Sequence, residues 1–269
     1  MDDVVRYEVE RGVATITLVR PEHFNTMSRQ LLDQALAAME AAADDDAVRA
    51  VVLTGTGRAF CAGGDLQEFA RREPDGPAAA GPRSLEADVR RLRGHMRTSQ
   101  LLREMPKVTF AAINGACAGA GLAWACAADI RYCAASAVFN TAFMTAGLSG
   151  DFGGTWTLPR IVGPARAREL YLLAEKFRAP DAERIGLVSA VLPDDELMPF
   201  VRAKAERVAG FAPLTVRAIK ANMNDALDAG FATMLDREAE RHIRCGRTED
   251  AREAASAFLE KRPPVFYGR

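Results

Sequence analysis

Two stretches of this sequence put glycine and alanine where a backbone amide can meet a ligand. Arg58-Ala-Phe-Cys-Ala-Gly-Gly-Asp65-Leu66 follows the apolar run Ala50-Val-Val-Leu-Thr54, and Asn114-Gly-Ala-Cys-Ala-Gly-Ala-Gly121 follows Val108 to Ile113. Each reads as a strand-to-helix turn. Free N–H groups then point out at the strand's end, small residues let a ligand atom approach, and the helix N-terminus favours an oxygen that becomes negative. Either turn by itself reads more readily as ordinary connection chemistry; the recurrence is the informative feature. Neither ends in the Gly-Lys-Ser/Thr of a P-loop, and the second lacks dinucleotide-fingerprint spacing. A carboxylate follows in Gly147-Leu-Ser-Gly-Asp151-Phe-Gly-Gly-Thr-Trp156, where Asp151 reads locally as a helix N-cap. His23, His95 and His242 are scattered, with none at ligand spacing from another His or Cys, so no metal site is expected.

The elements that must position these groups are readable from periodicity. Val5, Tyr7 and Val9 alternate with charged residues, and Arg11-Gly12 leads into a second alternating run through Ile16 and Leu18, which predicts an N-terminal hairpin. Ser28 can cap a helix with the stripe Leu31, Leu32, Ala35, Leu36 and Met39, ending near Asp44-Asp45-Asp46. Ala50 to Thr54 and Val108 to Ile113 read as buried strands, Gly115 to Ala127 as a buried helix, and Ile130 to Cys133 and Val138 to Asn140 as shorter strands. Between the two loops, Arg71 to Arg83 is rich in Pro and Gly and reads as a mobile loop, followed by a helical segment from Ser84 to Met105. From Pro164 onward the pattern is helical, with breaks at Pro180, Pro193, Pro213 and Gly246. The expected fold is one α/β core with a helical C-terminal extension.

Composition sets outer bounds. Thirty-five Lys and Arg balance thirty-six Asp and Glu in 269 residues, so no whole-chain field recruits nucleic acid or a membrane surface. Five cysteines without a CxxC pair, three of them in Ala-rich apolar runs, predict reduced, buried thiols. Asp2 and Asp3, followed by Arg6 and Glu8, leave no secretory apolar segment, and no run approaches the roughly 18 apolar residues of a membrane span. A soluble, cytoplasmic protein is expected.

Taken in order, Arg20-Pro21 with Asn25, Ala59 to Leu66, Ala112 to Leu122, Asp129-Ile-Arg131 and Ala257-Phe-Leu-Glu-Lys261 resemble the enoyl-CoA hydratase/isomerase (crotonase) superfamily over nearly the whole chain. The resemblance implies a repeated ββα spiral core over 1–195, with the thioester site, and a helical oligomerisation region over 196–269, assembled as trimers or hexamers. It implies that the N–H groups of Gly64 and Ala120 form an oxyanion hole around a thioester carbonyl. It also implies that Arg58 and Ala62 lie along the CoA moiety, and that Phe258 and Lys261 approach CoA from the C-terminal helix. Coenzyme A is then part of the substrate, and no separate cofactor is expected. Preorganised donors suit an enolate, each worth roughly 10²–10³ in rate.

Family hydratases carry two glutamates at positions that match Ala123 and Phe143 here, and neither acid is present. Asp151 falls where peroxisomal-type Δ3,Δ2-enoyl-CoA isomerases have their single base and where ring-1,2-epoxyphenylacetyl-CoA isomerases have an aspartate; in that register it is the acid/base of an isomerase, which needs only one carboxylate. The run Gly153 to Gly163 and the tail from Arg252 to Pro264 most resemble the ring-epoxide branch, with Gly150 in place of that branch's proline, which predicts a looser loop. Phe143, Phe152 and Trp156 read either as an apolar acyl pocket or as core. The alternatives are a hydratase with non-standard acids, a non-catalytic acyl-CoA-binding scaffold, and a dehalogenase resembling the 4-chlorobenzoyl-CoA enzymes. For the last, the supporting histidine position holds Thr98, with His95 one turn away.

Overall fold

The computed structural model describes residues 3–66 and 84–269, so the Pro- and Gly-rich stretch read above as a mobile loop lies outside the described residues. Strands β1 (Val5–Glu10) and β2 (Val13–Leu18) pair antiparallel, Val5 opposite Leu18 and Glu10 opposite Val13. Arg11 and Gly12 both have positive φ, 50° and 76°, the two-residue turn whose twist matches its strands. Ser28 caps α1 (Arg29–Asp44) by accepting a hydrogen bond from the Leu31 N–H at 3.2 Å, and Leu31, Leu32, Ala35 and Met39 are buried beneath it.

From β3 (Ala50–Gly55) onward the chain repeats one manoeuvre. Each strand of a large sheet is followed within a few residues by a short strand of a second sheet, and helices lead back to the first. β3 is followed by β4 (Ala59–Cys61), β5 (Val108–Ile113) by β6 (Ala116–Ala118), and β7 (Ile130–Ala134) by β8 (Val138–Asn140). Corresponding strands of successive turns pair in parallel, so β3, β5 and β7 are neighbours in one sheet and β4, β6 and β8 in the other. With β9 (Phe177–Arg178) and β10 (Val191–Leu192), the sheets run β1-β2-β3-β5-β7-β10 and β4-β6-β8-β9. This is the ββα spiral that the resemblance implies.

The sequence reading missed β4 and β6. Both are three residues long and lie within runs of glycine and alanine, and Gly115 to Ala127 is a strand followed by a helix rather than one helix. Gly119, at φ 52° and ψ −125°, breaks the chain between β6 and α4 (Ala120–Ala127), in a region closed to residues with a Cβ. The segment from Ser84 is two helices, α2 (Leu85–His95) and α3 (Arg97–Glu104), meeting at Met96.

Further on come α5 (Gly154–Val162), α6 (Pro164–Leu173), α7 (Ala179–Arg184), α8 (Leu197–Ala209), α9 (Pro213–Asp225), α10 (Phe231–Gly246) and α11 (Glu249–Glu260). Pro180 and Pro213 do not interrupt helices but sit in the first turns of α7 and α9, where a missing N–H costs nothing.

The middle of the large sheet is buried on both faces, which is why β3 and β5 read as continuous apolar runs. Val51, Leu53, Ala111 and Ile113 face the main core with α1 and α4, while Ala50, Val52, Phe110 and Ala112 pack against Leu197, Val201 and Ala205 of α8. Cys61, Cys117, Cys126 and Cys133 are buried and Cys245 is partly exposed, all as free thiols; burial pushes Cys61 up to about 12 and Cys126 to about 11. At the centre, fully buried Trp124 donates its indole N–H to Thr98 Oγ1 at 2.8 Å and meets Phe152 edge-on, ring centroids 6.0 Å apart. Trp124→Phe removes that bond and opens space beside it, so chemical denaturation should read a loss of about 1–3 kcal/mol.

Candidate functional site

Because β4, β6 and β8 run parallel, the segments that leave their C-terminal ends converge on one edge of the small sheet. Gly64 lies just after β4, Ala120 just after β6, and the segment to Asp151 leaves β8. An edge of this kind is where α/β folds collect functional groups.

The first loop is held from below by residues quoted in the sequence motif. Asn25, fully buried, accepts a hydrogen bond from Arg20 N at 2.8 Å and donates to the carbonyls of Ala59 at 2.7 Å and Thr56 at 3.0 Å. Arg20 donates to Thr26 O at 2.7 Å and, through both terminal nitrogens, to Asp65 Oδ2 at 3.2 Å; the side chains of this pair are only 14% and 12% exposed. Met27 N–H bonds the Gly63 carbonyl at 2.8 Å, pairing Met27 with Gly64 as a one-residue parallel bridge. Gly64 is thus fixed on both sides, and a Cβ built on it would meet nothing within 4 Å. The space on its Cβ side is open.

The second loop packs directly on the first. A Cβ on Gly121 would run into the Cys61 carbonyl, and one on Gly63 would come within 3.0 Å of Ala118 O and 3.5 Å of Ala120 N. Only hydrogens at these positions let the two backbones touch. Ala120 is the first residue of α4, so its N–H has no acceptor within the helix and carries the positive end of the helix dipole. The structure therefore brings together the two amide-bearing loops that the resemblance assigns to one carbonyl oxygen.

Asp151 does not cap a helix, which corrects the local sequence reading. The N-cap of α5 is Gly153, with no side-chain cap bond; Asp151 contributes only its backbone carbonyl, which accepts from Gly154 N at 3.1 Å. The reason is two consecutive left-handed residues, Phe152 (φ 48°) and Gly153 (φ 77°), between the acid and the helix. The freed carboxylate has a buried oxygen, Oδ1, with no hydrogen-bond partner, and burial raises its pKa from 3.8 to about 6. Gly150, at the position where that branch has a proline, sits at φ 101°, which proline cannot adopt.

The aromatic candidates divide. Phe143 is buried and stacks on Tyr171, and its ring reaches within 4.0 Å of where Cβ atoms on Gly119 and Gly150 would stand, linking the second loop to the acid's loop. Phe152 packs into the core against Trp124. Trp156 lies between the guanidinium groups of Arg103 and Arg160, at 4.4 and 3.8 Å, beside a cavity of about 680 Å³ lined also by α9 residues. Arg58 is exposed over the Phe24 ring at 4.3 Å, and Ala62 N–H bonds Phe24 O at 3.1 Å. Phe258 is 82% exposed on α11, and Lys261 follows that helix in the left-handed conformation. His95 faces Asp33 at 3.0 Å, and Thr98 is buried beneath Trp124. Sequence reasoning missed Tyr171, which lies on α6 without any motif around it.

Residues 8–269 match the family described as enoyl-CoA hydratase/isomerase. The chain belongs to that family. It is 40% identical over 265 residues to a Rhodobacter capsulatus protein named "Probable enoyl-CoA hydratase", covering 98% of each chain. It is 37% identical over 269 residues to the 1,2-epoxyphenylacetyl-CoA isomerase of Escherichia coli, covering 100% of each. The solved enoyl-CoA hydratase of Bacillus anthracis superposes with a TM-score of 0.90 at 30% identity, over 99% of this chain and 100% of that one. The protein is an acyl-CoA enzyme of the hydratase/isomerase family, and its relatives carry both kinds of name. Ala123 and Phe143, the two positions that match the hydratase glutamates, are 3% and 7% exposed and carry no acid.

Burial of Asp151 has a cost that pH exposes. From 3.8 upward the unfolded chain releases this proton while the folded chain keeps it, so stability falls as the pH rises to about 6 and does not recover above it. Asp151→Asn should therefore melt about 2–4 °C above the wild type at pH 8, and nearly with it at about pH 4, by differential scanning calorimetry.

Proposed function

We propose that the protein is an acyl-CoA isomerase that shifts a double bond, or rearranges a ring-derived acyl group, through an enolate held by the Gly64 and Ala120 amides with Asp151 as sole acid/base. The observation that carries this reading is the unpartnered Asp151 Oδ1, held in a loop that meets the second glycine loop through Phe143. A carboxylate tied up in a cap or ion pair would be a poor base, whereas one raised to about 6 is half ionised near the working range and can both take and return a proton.

In the proposed cycle the thioester carbonyl sits between the two N–H groups, and ionised Asp151 removes a proton from the α or γ carbon. The electron pair moves into the carbonyl, and the oxyanion is met by fixed donors and the positive end of α4. The same carboxyl, now protonated, returns the proton at the other end of the delocalised system. No water enters the bond changes, in keeping with side chains at Ala123 and Phe143 that cannot activate one. The name of the E. coli relative favours a ring-derived acyl group, with Phe143 as its apolar wall. Arg58 and Ala62 would line the CoA moiety, joined by Phe258 and Lys261 of the C-terminal helix. The exposed Phe231, Leu235, Ile243 and Leu259 support residues 196–269 as the region through which copies assemble.

A panel of 3-enoyl-, 2-enoyl- and arylacetyl-CoA thioesters in deuterated water, read by mass, tests the chemistry. Wild type should incorporate label at the α or γ carbon, and Asp151→Asn should bind the same thioesters while losing exchange by a factor of about 10² or more. Equal exchange in both proteins would sink the mechanism, and water addition to the 2-enoyl thioester would establish a hydratase instead. Because the base must be ionised, kcat/KM for the double-bond shift should climb with pH through about 6 and level off above it, measured as a pH–rate profile.

A further inference from the structure

Tyr171 stands where the loop bearing Asp151 meets the second glycine loop. It projects from the last turn of α6 and stacks on Phe143, with ring centroids 6.1 Å apart and planes 11° apart. Its ring edge lies 3.8 Å from where a Cβ on Gly150 would stand, and its hydroxyl oxygen 2.5 Å from where one on Gly154 would stand. The Ala123 methyl is 3.1 Å from that second point. A phenol oxygen is therefore admitted beside Ala123 by the missing side chain at Gly154, and Gly154 is the residue whose N–H anchors the Asp151 carbonyl.

The hydroxyl is a neutral donor. Burial, followed by the neighbouring Cys126 and the charge of Asp151, raises the phenol pKa from its ordinary value of 10, so the proton stays on oxygen throughout the range in which Asp151 titrates. Asp151 Oδ1 takes no hydrogen bond from it, so carboxyl and phenol are two separate polar groups on one wall. The stacked Phe143–Tyr171 rings form an apolar pair beside Ala123 and the loop of Asp151, and the hydroxyl is the one polar atom that pair carries.

Resting on the reading of the site as an acyl-CoA pocket, we propose that Tyr171 is a specificity-determining residue whose hydroxyl donates a hydrogen bond to an oxygen carried on the acyl group. It selects oxygen-bearing acyl thioesters over all-carbon ones. The selectivity comes from asymmetry: an acyl group without an acceptor leaves a half-buried donor unpaired, a loss larger than the net gain of making an ordinary hydrogen bond.

The test is binding, so it does not depend on turnover. Dissociation constants by titration calorimetry are compared for phenylacetyl-CoA and the three ring-hydroxylated phenylacetyl-CoA isomers, on wild type, Tyr171→Phe and Asp151→Asn. In wild type at least one hydroxylated isomer should bind about tenfold tighter than phenylacetyl-CoA. In Tyr171→Phe that preference should shrink to within about twofold, chiefly because phenylacetyl-CoA, no longer leaving a donor unpaired, binds several-fold tighter than it does to wild type. A wild type without preference, or a preference that survives in Tyr171→Phe, would overturn the proposal. Asp151→Asn should keep the preference while losing label exchange; if it keeps exchange as well, the base assignment fails while the Tyr171 comparison stands on its own.

Discussion

The site depends on two backbones touching without side chains between them. Where Gly121 passes the Cys61 carbonyl and Gly63 passes Ala118 and Ala120, there is no room for a methyl group. That contact sets the spacing of the amides at Gly64 and Ala120, and strands β4 and β6, only three residues each, are the stretches of small-sheet ladder that hold it. Everything around the contact immobilises it. The Arg20–Asp65 pair and the buried Asn25 side chain tie the first loop to the segment after β2, and α4 anchors the second within the core. Preorganisation of this kind lets weak individual donors act on a developing charge, since nothing has to move when the charge appears.

The acid of the proposed mechanism, Asp151, is likewise placed by backbone conformation. Two left-handed residues after Asp151 and a positive φ at Gly150 before it hold the acid off the helix that would otherwise neutralise its hydrogen-bonding needs. The fold tolerates a poorly solvated acid here, and the rest of the core, with Trp124 and Thr98 fully satisfied, supplies the stability that offsets it.

Much of this was legible in the sequence. The hairpin, the Ser28 cap, β3, β5, β7 and β8 follow from alternation, capping and continuous apolar runs, and the paired glycine loops marked the edge on which the site sits. What escaped reading has a physical cause in each case. β4 and β6 are short and embedded in runs rich in glycine and alanine, so β4 passed for a loop and β6 for the start of a helix, whereas β8, equally short, carries Val138 and Phe139. On the local pattern alone Asp151 reads as a cap, because Phe152 gives no sign in its side chain of adopting φ 48°, and one such residue redirects the carboxylate; only the family resemblance marked it as an acid/base. Pro180 and Pro213 were read as breaks because a proline in a first helical turn and one between helices look alike without the capping geometry. Phe152 and Phe143 are both buried phenylalanines with similar surroundings in the sequence. Only the partner each ring meets, Trp124 in the core or Tyr171 beside the loop of Asp151, tells them apart.

The spiral distributes the three groups over three successive turns: Gly64 after β4, Ala120 after β6 and Asp151 after β8. No single turn, and no pair of adjacent ones, contains the whole arrangement. On the proposed mechanism, a chain arrested part-way through winding would carry native-like strands and still be chemically silent, which would make activity an all-or-nothing reporter of finished assembly.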